Sequence, residues 1–299
     1  MIDIVIVNWN GGIYIQNCIA SIIENSSKEI LNKIFVIDNC STDGSINNLT
    51  QYNKVEIIQN KENVGFAKAC NQGFKLSKQP YVLLLNPDTQ LFKTTLKDCI
   101  AFMNEHLSYD ILGCQLLDDQ GGITHSCARI PTPKTIFNDA TGLSKLLPTV
   151  FKPSTLMTDW DHTASKIVPQ VMGAFMFIRQ STFTKIGYFD EQFFVYYEEL
   201  DYSYRLLQNG GTSFFNTSIK AIHSGEGTTT GVQAFRLFLN LQSRLKFANK
   251  HFSSFGYFFT KICTLIIEPF TRTCFLLLRG KISSVKDVIN GYKLLYKSL

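Results

Sequence analysis

The 299-residue chain lacks both of the glycine-rich loops that most often betray a phosphate site. No G-x-G-x-x-G follows its first strand-like run, which argues against a dinucleotide-binding dehydrogenase, and no G-x-x-x-x-G-K-[ST] holds phosphates as a P-loop would. Its eight cysteines include no C-x-x-C pair and no Cys/His cluster at metal spacing. Several fall on apolar faces of predicted elements, where a thiol behaves as a small hydrophobe, and a reduced, cytosolic compartment fits them best. Met1 leads straight into I-D-I-V-I-V, so the N-terminus does not resemble a signal peptide. The apolar stretch 255–278 falls short of the ~20 residues that cross a bilayer, because Lys261, Glu268, Pro269 and Arg272 interrupt it.

Acidic residues are also scarce, but only in one part of the chain. Residues 233–299 carry 11 Lys/Arg against 2 Asp/Glu, whereas residues 1–232 carry 18 against 22. Basic residues interleaved with large apolar ones suit amphipathic helices lying on an anionic membrane surface. They equally suit a helical subdomain packed on the main body with a solvated basic face. Nucleic acid fits less well, since the tail's aromatics come with Leu and Ile and not in a polar stacking groove.

With 45% hydrophobic and 18% charged residues, the chain can bury a large core. Up to about residue 115, short β-branched runs (2–7, 34–37, 55–58, 81–85, 111–114) alternate with helical periodicity. Helices are expected over 13–23 and from near Ser45, Gly65 and Thr94. Such alternation implies right-handed crossovers and a mostly parallel sheet flanked by helices, with ligands beyond the carboxyl ends of the strands. Residues 118–170 read as a proline-bearing, loop-rich excursion, 171–222 as a second αβ segment, and the division into domains falls at 1–232 and 233–299.

Three polar loops stand at expected strand ends: N8-W-N-G-G12, D38-N-C-S-T-D-G-S45 and N86-P-D-T89. Turns and helix caps explain each one singly; three on one sheet edge point to a ligand. A nucleoside diphosphate held without a glycine-rich cradle needs another source of positive charge, which a hard divalent cation on one or two carboxylates would supply. A fourth stretch, F193-F-V-Y-Y-E-E-L-D-Y-S-Y-R205, sets Glu198, Glu199 and Asp201 among aromatics. Acids there either begin a helix, where exposed N–H groups stabilise them, or do chemistry.

These pieces, together with E62-N-V-G-F-A-K-A-C-N-Q-G73, G173-A-F-M-F-I-R179 and A221-I-H-S-G-E-G-T228, stand in the order seen in family 2 inverting glycosyltransferases. Over residues 1–230 the chain resembles the rhamnosyltransferase-like branch of that family. The resemblance implies a GT-A (Rossmann-like) fold, a nucleotide-diphosphate sugar donor, and Mg2+ or Mn2+. It implies donor contacts from Asn8, Trp9, Asn10, Asp38, Asn39, Asp43, Asn63, Lys68, Asn86 and Gly173. Asp38 matches the acid that reads a pyrimidine; a carboxylate accepting from N3–H selects uracil or thymine over cytosine. Asp88 matches the last acid of the family's D-x-D metal motif, whose first position here is Asn86. His223 matches a late histidine that reaches the metal or diphosphate.

Inversion needs a base on the acceptor hydroxyl, opposite the leaving diphosphate. By motif position that base is Glu199, with Glu198 its neighbour and Asp201 a helix-start or orienting acid. Phe193, Phe194, Tyr196 and Tyr197 are expected to wall the site and stack on a sugar. The reading as a whole is a cytoplasmic enzyme, peripheral to the inner face of the plasma membrane, moving L-rhamnose from dTDP-rhamnose to a lipid-linked saccharide in bacterial surface-polysaccharide synthesis. Its rivals are a UDP-sugar-dependent hexosyl or N-acetylhexosaminyl transferase and a non-catalytic membrane-peripheral partner that keeps the fold. A nucleotidyltransferase would want a basic glycine-rich loop where this chain has N8-W-N-G-G12.

Overall fold

In a computed structural model, residues 1–225 and 233–299 are described. The residues 226–228 that close the His223 motif, and the boundary expected at 232, lie outside them. In chain order the elements are β1 (Ile2–Asn8), α1 (Gly12–Glu24), β2 (Leu31–Asp38), β3 (Val55–Gln59), α2 (Phe66–Leu76), β4 (Tyr81–Leu85), β5 (Thr89–Leu91), α3 (Thr95–Glu105) and β6 (Ile111–Leu117). There follow β7 (Cys127–Ala128), α4 (Pro133–Ala140), α5 (Leu143–Leu146), β8 (Lys166–Val168), β9 (Gln170–Val171), β10 (Phe175–Arg179), α6 (Gln180–Ile186), α7 (Glu198–Gln208) and β11 (Ser213–His223). The chain ends in α8 (Gln233–His251), α9 (Ser254–Ile262), α10 (Glu268–Leu278) and α11 (Ile282–Lys297).

Two compact units share these elements: among the described residues, 1–128, 161–191 and 198–225 form one, and 129–160, 192–197 and 233–299 the other. The first is built on a sheet of order β3-β2-β1-β4-β10-β6-β11-β5, with β8 also paired to β11. Strands β1 to β4 run parallel, and so do β6 and β11. β10 enters antiparallel between β4 and β6. β1 and β4 are buried at every position, which is why they read as unbroken apolar runs and not as alternating ones. Helices α1 and α3 close one side of this core through Ile15, Cys18, Ile19, Leu96 and Met103.

Two expectations are corrected. No helix starts near Ser45; after Gly44 the chain turns and makes only a 3-10 turn at Leu49–Gln51. Asn47, Asn48 and Thr50 are poor helix formers that compete for the backbone, which accounts for the difference. Nor do residues 233–299 stand alone. They share their unit with 129–160 and 192–197, and Ile136 and Ala140 of α4 pack with Cys263, Phe252 and Phe259. The excursion is therefore structured: Thr132 and Thr135 form a reciprocal cap with Pro133 in the first turn.

Within the second unit, Leu241 and Leu245 of α8 pack on Val288, Tyr292 and Leu295 of α11. Arg244 meets the buried Glu268 carboxylate, which also takes Arg272. Among the described residues no helix is long and apolar enough to cross a membrane.

Candidate active site

The parallel register of β1 and β2 sets Asn8 opposite Asp38 at the carboxyl end of the sheet. Both are buried. Asn8 Nδ2 donates to Asp38 Oδ1 at 2.9 Å, Ser41 Oγ at 3.0 Å and Ser45 Oγ at 2.9 Å. Asp38 also accepts from the Ser41 hydroxyl at 2.6 Å and the Ser41 N–H at 3.1 Å. Asn10, in the left-handed region at φ 53°, accepts the Thr42 N–H at 2.8 Å. The loops after β1 and β2 are thus one hydrogen-bonded platform. Asp43 helps to build it by accepting the Gly12 N–H at 2.8 Å, an orphan donor at the start of α1. Partial burial works against its ionisation, but hydrogen bonds from Ser45 and Gly12 hold Asp43 below the usual carboxylate range.

Asn39 is buried beside this platform, donating to the Gly65 carbonyl and accepting from Asn60. Asn63 Oδ1 accepts the Gly65 N–H at 3.0 Å, and Gly65, at φ 87°, is the turn into α2. Trp9 is half-buried at the end of β1, and Lys68 is exposed on α2.

At the end of β4, the segment from Asn86 to Thr89 is pinned by the Ala174 carbonyl. That oxygen accepts from the Asn86 N–H at 3.1 Å and from Thr89 Oγ1 at 3.3 Å. The antiparallel pairing of β5 and β11 sets His223 opposite Thr89. His223 Nε2 consequently lies 3.3 Å from Asp88 Oδ1, so the two expected metal residues do meet. Ser224 ties in a residue the sequence did not suggest: its N–H donates to the Asp88 carbonyl, and its hydroxyl to Asp119 at 2.8 Å. Among the described residues, no three His, Cys, Asp or Glu side chains gather as a metal cage. One carboxylate and one imidazole suit a cation that completes its shell from phosphate and water.

Glu198 and Glu199 open α7, so the helix-start geometry holds, yet it does not exhaust their surroundings. Glu198 is buried and Glu199 half-buried, and Oε2 of each is enclosed without a hydrogen-bond partner. Burial, then the charge of Glu199, push the Glu198 carboxyl well above the usual range. Glu198 is thereby shifted toward its neutral form. Gly173 lies directly beside Glu199; a Cβ there would stand 3.5 Å from Oε1. Consecutive residues thus serve both halves of the site, Gly173 flanking the acid and Ala174 holding the Asn86–Thr89 segment.

Asp201 is placed otherwise. It is fully buried and pairs with Arg205 Nε at 2.8 Å, while Arg205 also donates to the Ile186 and Tyr188 carbonyls. Its carboxylate anchors the chain before α7, a positioning role. The aromatic wall is corrected too. Phe193 and Tyr197 are buried in the second unit, Tyr197 against Phe247 at 5.6 Å, and neither offers a face to a sugar. Tyr196 and Tyr197 both adopt positive φ, 66° and 71°, just ahead of Glu198. Bulky residues there cost on the order of 1–3 kcal/mol each, and such outliers gather at functional sites.

Asn71 was also missed. From mid-α2 it exchanges two hydrogen bonds with the Phe189 backbone, at 2.9 and 3.0 Å, and donates to Glu191 Oε1 at 2.9 Å. A buried asparagine inside a helix is a poor choice for the helix, and that was the available signal.

Residues 3–151 match Glycosyl transferase family 2. The chain carries a glycosyl transferase family 2 domain. It is 25% identical over 257 residues to the low-salt glycan biosynthesis hexosyltransferase Agl10 of Haloferax volcanii, covering 84% of this chain and 76% of that one. It is 22% identical over 249 residues to the N-acetylglucosaminyl-diphospho-decaprenol L-rhamnosyltransferase of Mycobacterium tuberculosis, covering 75% and 76%. The fold is like that of the mannosyltransferase PcManGT from Pyrobaculum calidifontis in complex with GDP-Man and Mn2+, at TM-score 0.58 and 12% identity, over 99% of this chain and 86% of that one. The family 2 match takes in the platform and Asp88 but ends before Gly173, the acidic pair and His223. Those residues join the site through the sheet, by β10 beside β4 and β11 beside β5.

Proposed function

We propose that this family 2 protein is an inverting, metal-dependent glycosyltransferase of glycan or surface-polysaccharide synthesis, taking a nucleoside-diphosphate sugar to a lipid-linked saccharide. The observation that carries the reading is the enclosed acid pair Glu198 and Glu199 at the start of α7, with Gly173 against Glu199 and Ala174 holding the Asp88 segment. The Glu199 carboxylate accepts the proton of an acceptor hydroxyl as that oxygen bonds to the anomeric carbon. The bond from that carbon to the diphosphate oxygen breaks on the opposite face, and its electron pair leaves with the nucleoside diphosphate. Configuration inverts, with no covalent enzyme intermediate. Glu198, whose carboxyl burial pushes up, is assigned to keep its proton, and Glu199 to act as the base.

Asp88 and His223 would hold the divalent cation, which when bound offsets the charge that gathers on the diphosphate. The imidazole favours Mn2+ over Mg2+, which prefers an all-oxygen shell. Asp38, at the centre of the platform, is assigned to the N3–H of uracil or thymine. The L-rhamnosyl donor rests on the resemblance and on the mycobacterial relative; a UDP-hexose or UDP-N-acetylhexosamine is the second reading. The same relative's lipid-diphosphate substrate supports a lipid-linked acceptor, and with it the proposed place at the cytoplasmic membrane face.

The test is a donor panel, dTDP-rhamnose and UDP-sugars, scored by saturation-transfer NMR with Mn2+ or Mg2+, followed by the anomeric configuration of the product. Inverted product from a pyrimidine donor is expected. Retained configuration would overturn the mechanism, and an absence of both transfer and donor hydrolysis across the panel would favour a non-catalytic partner.

A further inference from the structure

The helix from Ser254 to Leu278 leaves much of its apolar side-chain area uncovered. Its α9 and α10 portions are joined through a π-helical turn at Cys263–Ile267. Gly256, Thr260, Cys263, Thr264 and Glu268 are the residues it buries. Phe259, Leu265, Ile267 and Leu276 pack partly inward, but a second set of large apolar side chains faces out: Phe255 is 77% exposed, Phe258 59%, Ile266 66%, Phe270 72% and Leu278 87%. Positions 255, 258, 262, 266, 270 and 277 step by three, four or seven residues and so lie along one helix face. Repeated steps of four drift around a 3.6-residue helix, and the wider π turn offsets part of that drift. The result is an apolar stripe on the order of 35 Å long, given 1.5 Å per residue.

An amphipathic helix of a water-soluble fold turns this pattern round. Exposed apolar area of this extent marks an interaction surface, and its charge selects the occupant. Of the two acids in residues 233–299, Glu268 is buried between Arg244 and Arg272, which leaves only Asp287 against a predominantly basic surface. Lys261 lies within the stripe's span, and exposed Arg279 and Lys281 follow its C-terminal end. A second copy of this chain would bring basic surface against basic surface, which costs affinity. An anionic bilayer meets both requirements at once, taking apolar side chains below its headgroups and basic ones among its phosphates.

We infer that residues 254–282 are a monotopic membrane-docking element, with the α9–α10 helix lying in the interface of an anionic phospholipid bilayer, stripe inward. The inference is independent of the acid pair and of any donor, since vesicle binding is measured with neither.

Full-length protein is sedimented with phosphatidylcholine vesicles with and without phosphatidylglycerol. Binding to the anionic vesicles and none to the neutral ones is expected. Ile266→Ser with Phe270→Ser should lower partitioning at least about tenfold, because each side chain forgoes burial that is worth a factor of ten or more. Arg279→Gln and Lys281→Gln should lower it about fivefold per charge. Phe270→Trp keeps the apolar side chain; it should bind normally and give fluorescence quenched by lipids brominated on their acyl chains. Four results would overturn the inference: a serine variant of unchanged Tm that binds like wild type, equal binding to neutral vesicles, absence of acyl-chain quenching, or a concentration-dependent dimer that the serine pair abolishes.

Discussion

Two glutamates, one in each unit, are buried almost equally, Glu198 at 2% exposure and Glu268 at 1%. Their surroundings are opposite. Burial would raise the Glu268 carboxyl, but Arg244 and then Arg272 hold it below the usual range. Glu198 meets a second carboxylate, and both burial and that charge raise it. Burial sets the stakes; the partner decides the role. A buried acid between arginines is a fixture of the packing, strongly destabilising to break. A buried acid set beside a second acid costs stability and is shifted toward its protonated form, a combination that clusters where chemistry is done.

The sharpest way to break this contrast is Glu199→Gln, which keeps volume and hydrogen-bonding capacity but removes basicity. We expect a loss of about 10²–10⁴-fold in kcat, with donor Kd by calorimetry nearly unchanged. If Glu198→Gln were the inactive enzyme and Glu199→Gln turned over normally, the base would be off by one residue. On the other side of the comparison, Glu268→Ala leaves Arg244 buried without its counter-charge and should cost about 3–5 kcal/mol in urea unfolding. A loss below about 1 kcal/mol, the range of an exposed pair, would mean the cluster is solvated in practice.

Asp88 extends the comparison to an acid that faces a histidine. Asp88→Ala should cost about 10²–10³-fold in kcat while leaving the Tm intact, with charge on the diphosphate uncompensated. His223→Ala should cost less. Enzyme shown to be metal-free that turns over at the untreated rate would remove the cation from the mechanism.

The smallest effect is on pH dependence, and its sign separates the two glutamates. Glu198 titrates above its ordinary 4.5 in the fold, so the stability gained by burying the neutral form is complete below 4.5 and declines as pH rises toward the folded value. Glu268 titrates below 4.5, so its contribution is present above that value and is lost as pH falls through the folded one. Glu198→Gln should therefore flatten the alkaline side of a stability–pH curve and Glu268→Gln the acid side. Unfolding midpoints measured across pH for both variants check this; a flattening on the same side for both would undo the distinction.

Local signals carried much of the fold. The buried parallel strands announce themselves as unbroken apolar runs, and the polar loops at their ends mark the platform. Asp88 and His223 could be paired only through the family resemblance, since strand pairing and not sequence distance brings them together. The second unit was misjudged because its halves are far apart in the chain: α4 packs on α9 and on the turn after it. Asn71, Asp119 and Ser224 are not legible in the sequence because they act through long-range hydrogen bonds, which leave no periodicity. The aromatic wall is reduced for a related reason, as burial in the second unit claims Phe193 and Tyr197 and leaves Phe194 and Tyr196 half-buried.

The position of β10 also bears on how the chain acquires its structure. β4, reading Y-V-L-L-L, has β1 on one side and nothing on the other until Phe175 arrives to pair with Leu85. During synthesis the whole 118–170 excursion must emerge before that edge is covered. An apolar, unpaired strand edge of this kind is the part of a nascent chain most prone to pair with a neighbour, and pairings between residues so distant in sequence form late. The central strand that brings Gly173 and Ala174 to the site is thus also the one that covers the exposed edge of β4, and until it is laid down that edge is open to a neighbouring chain.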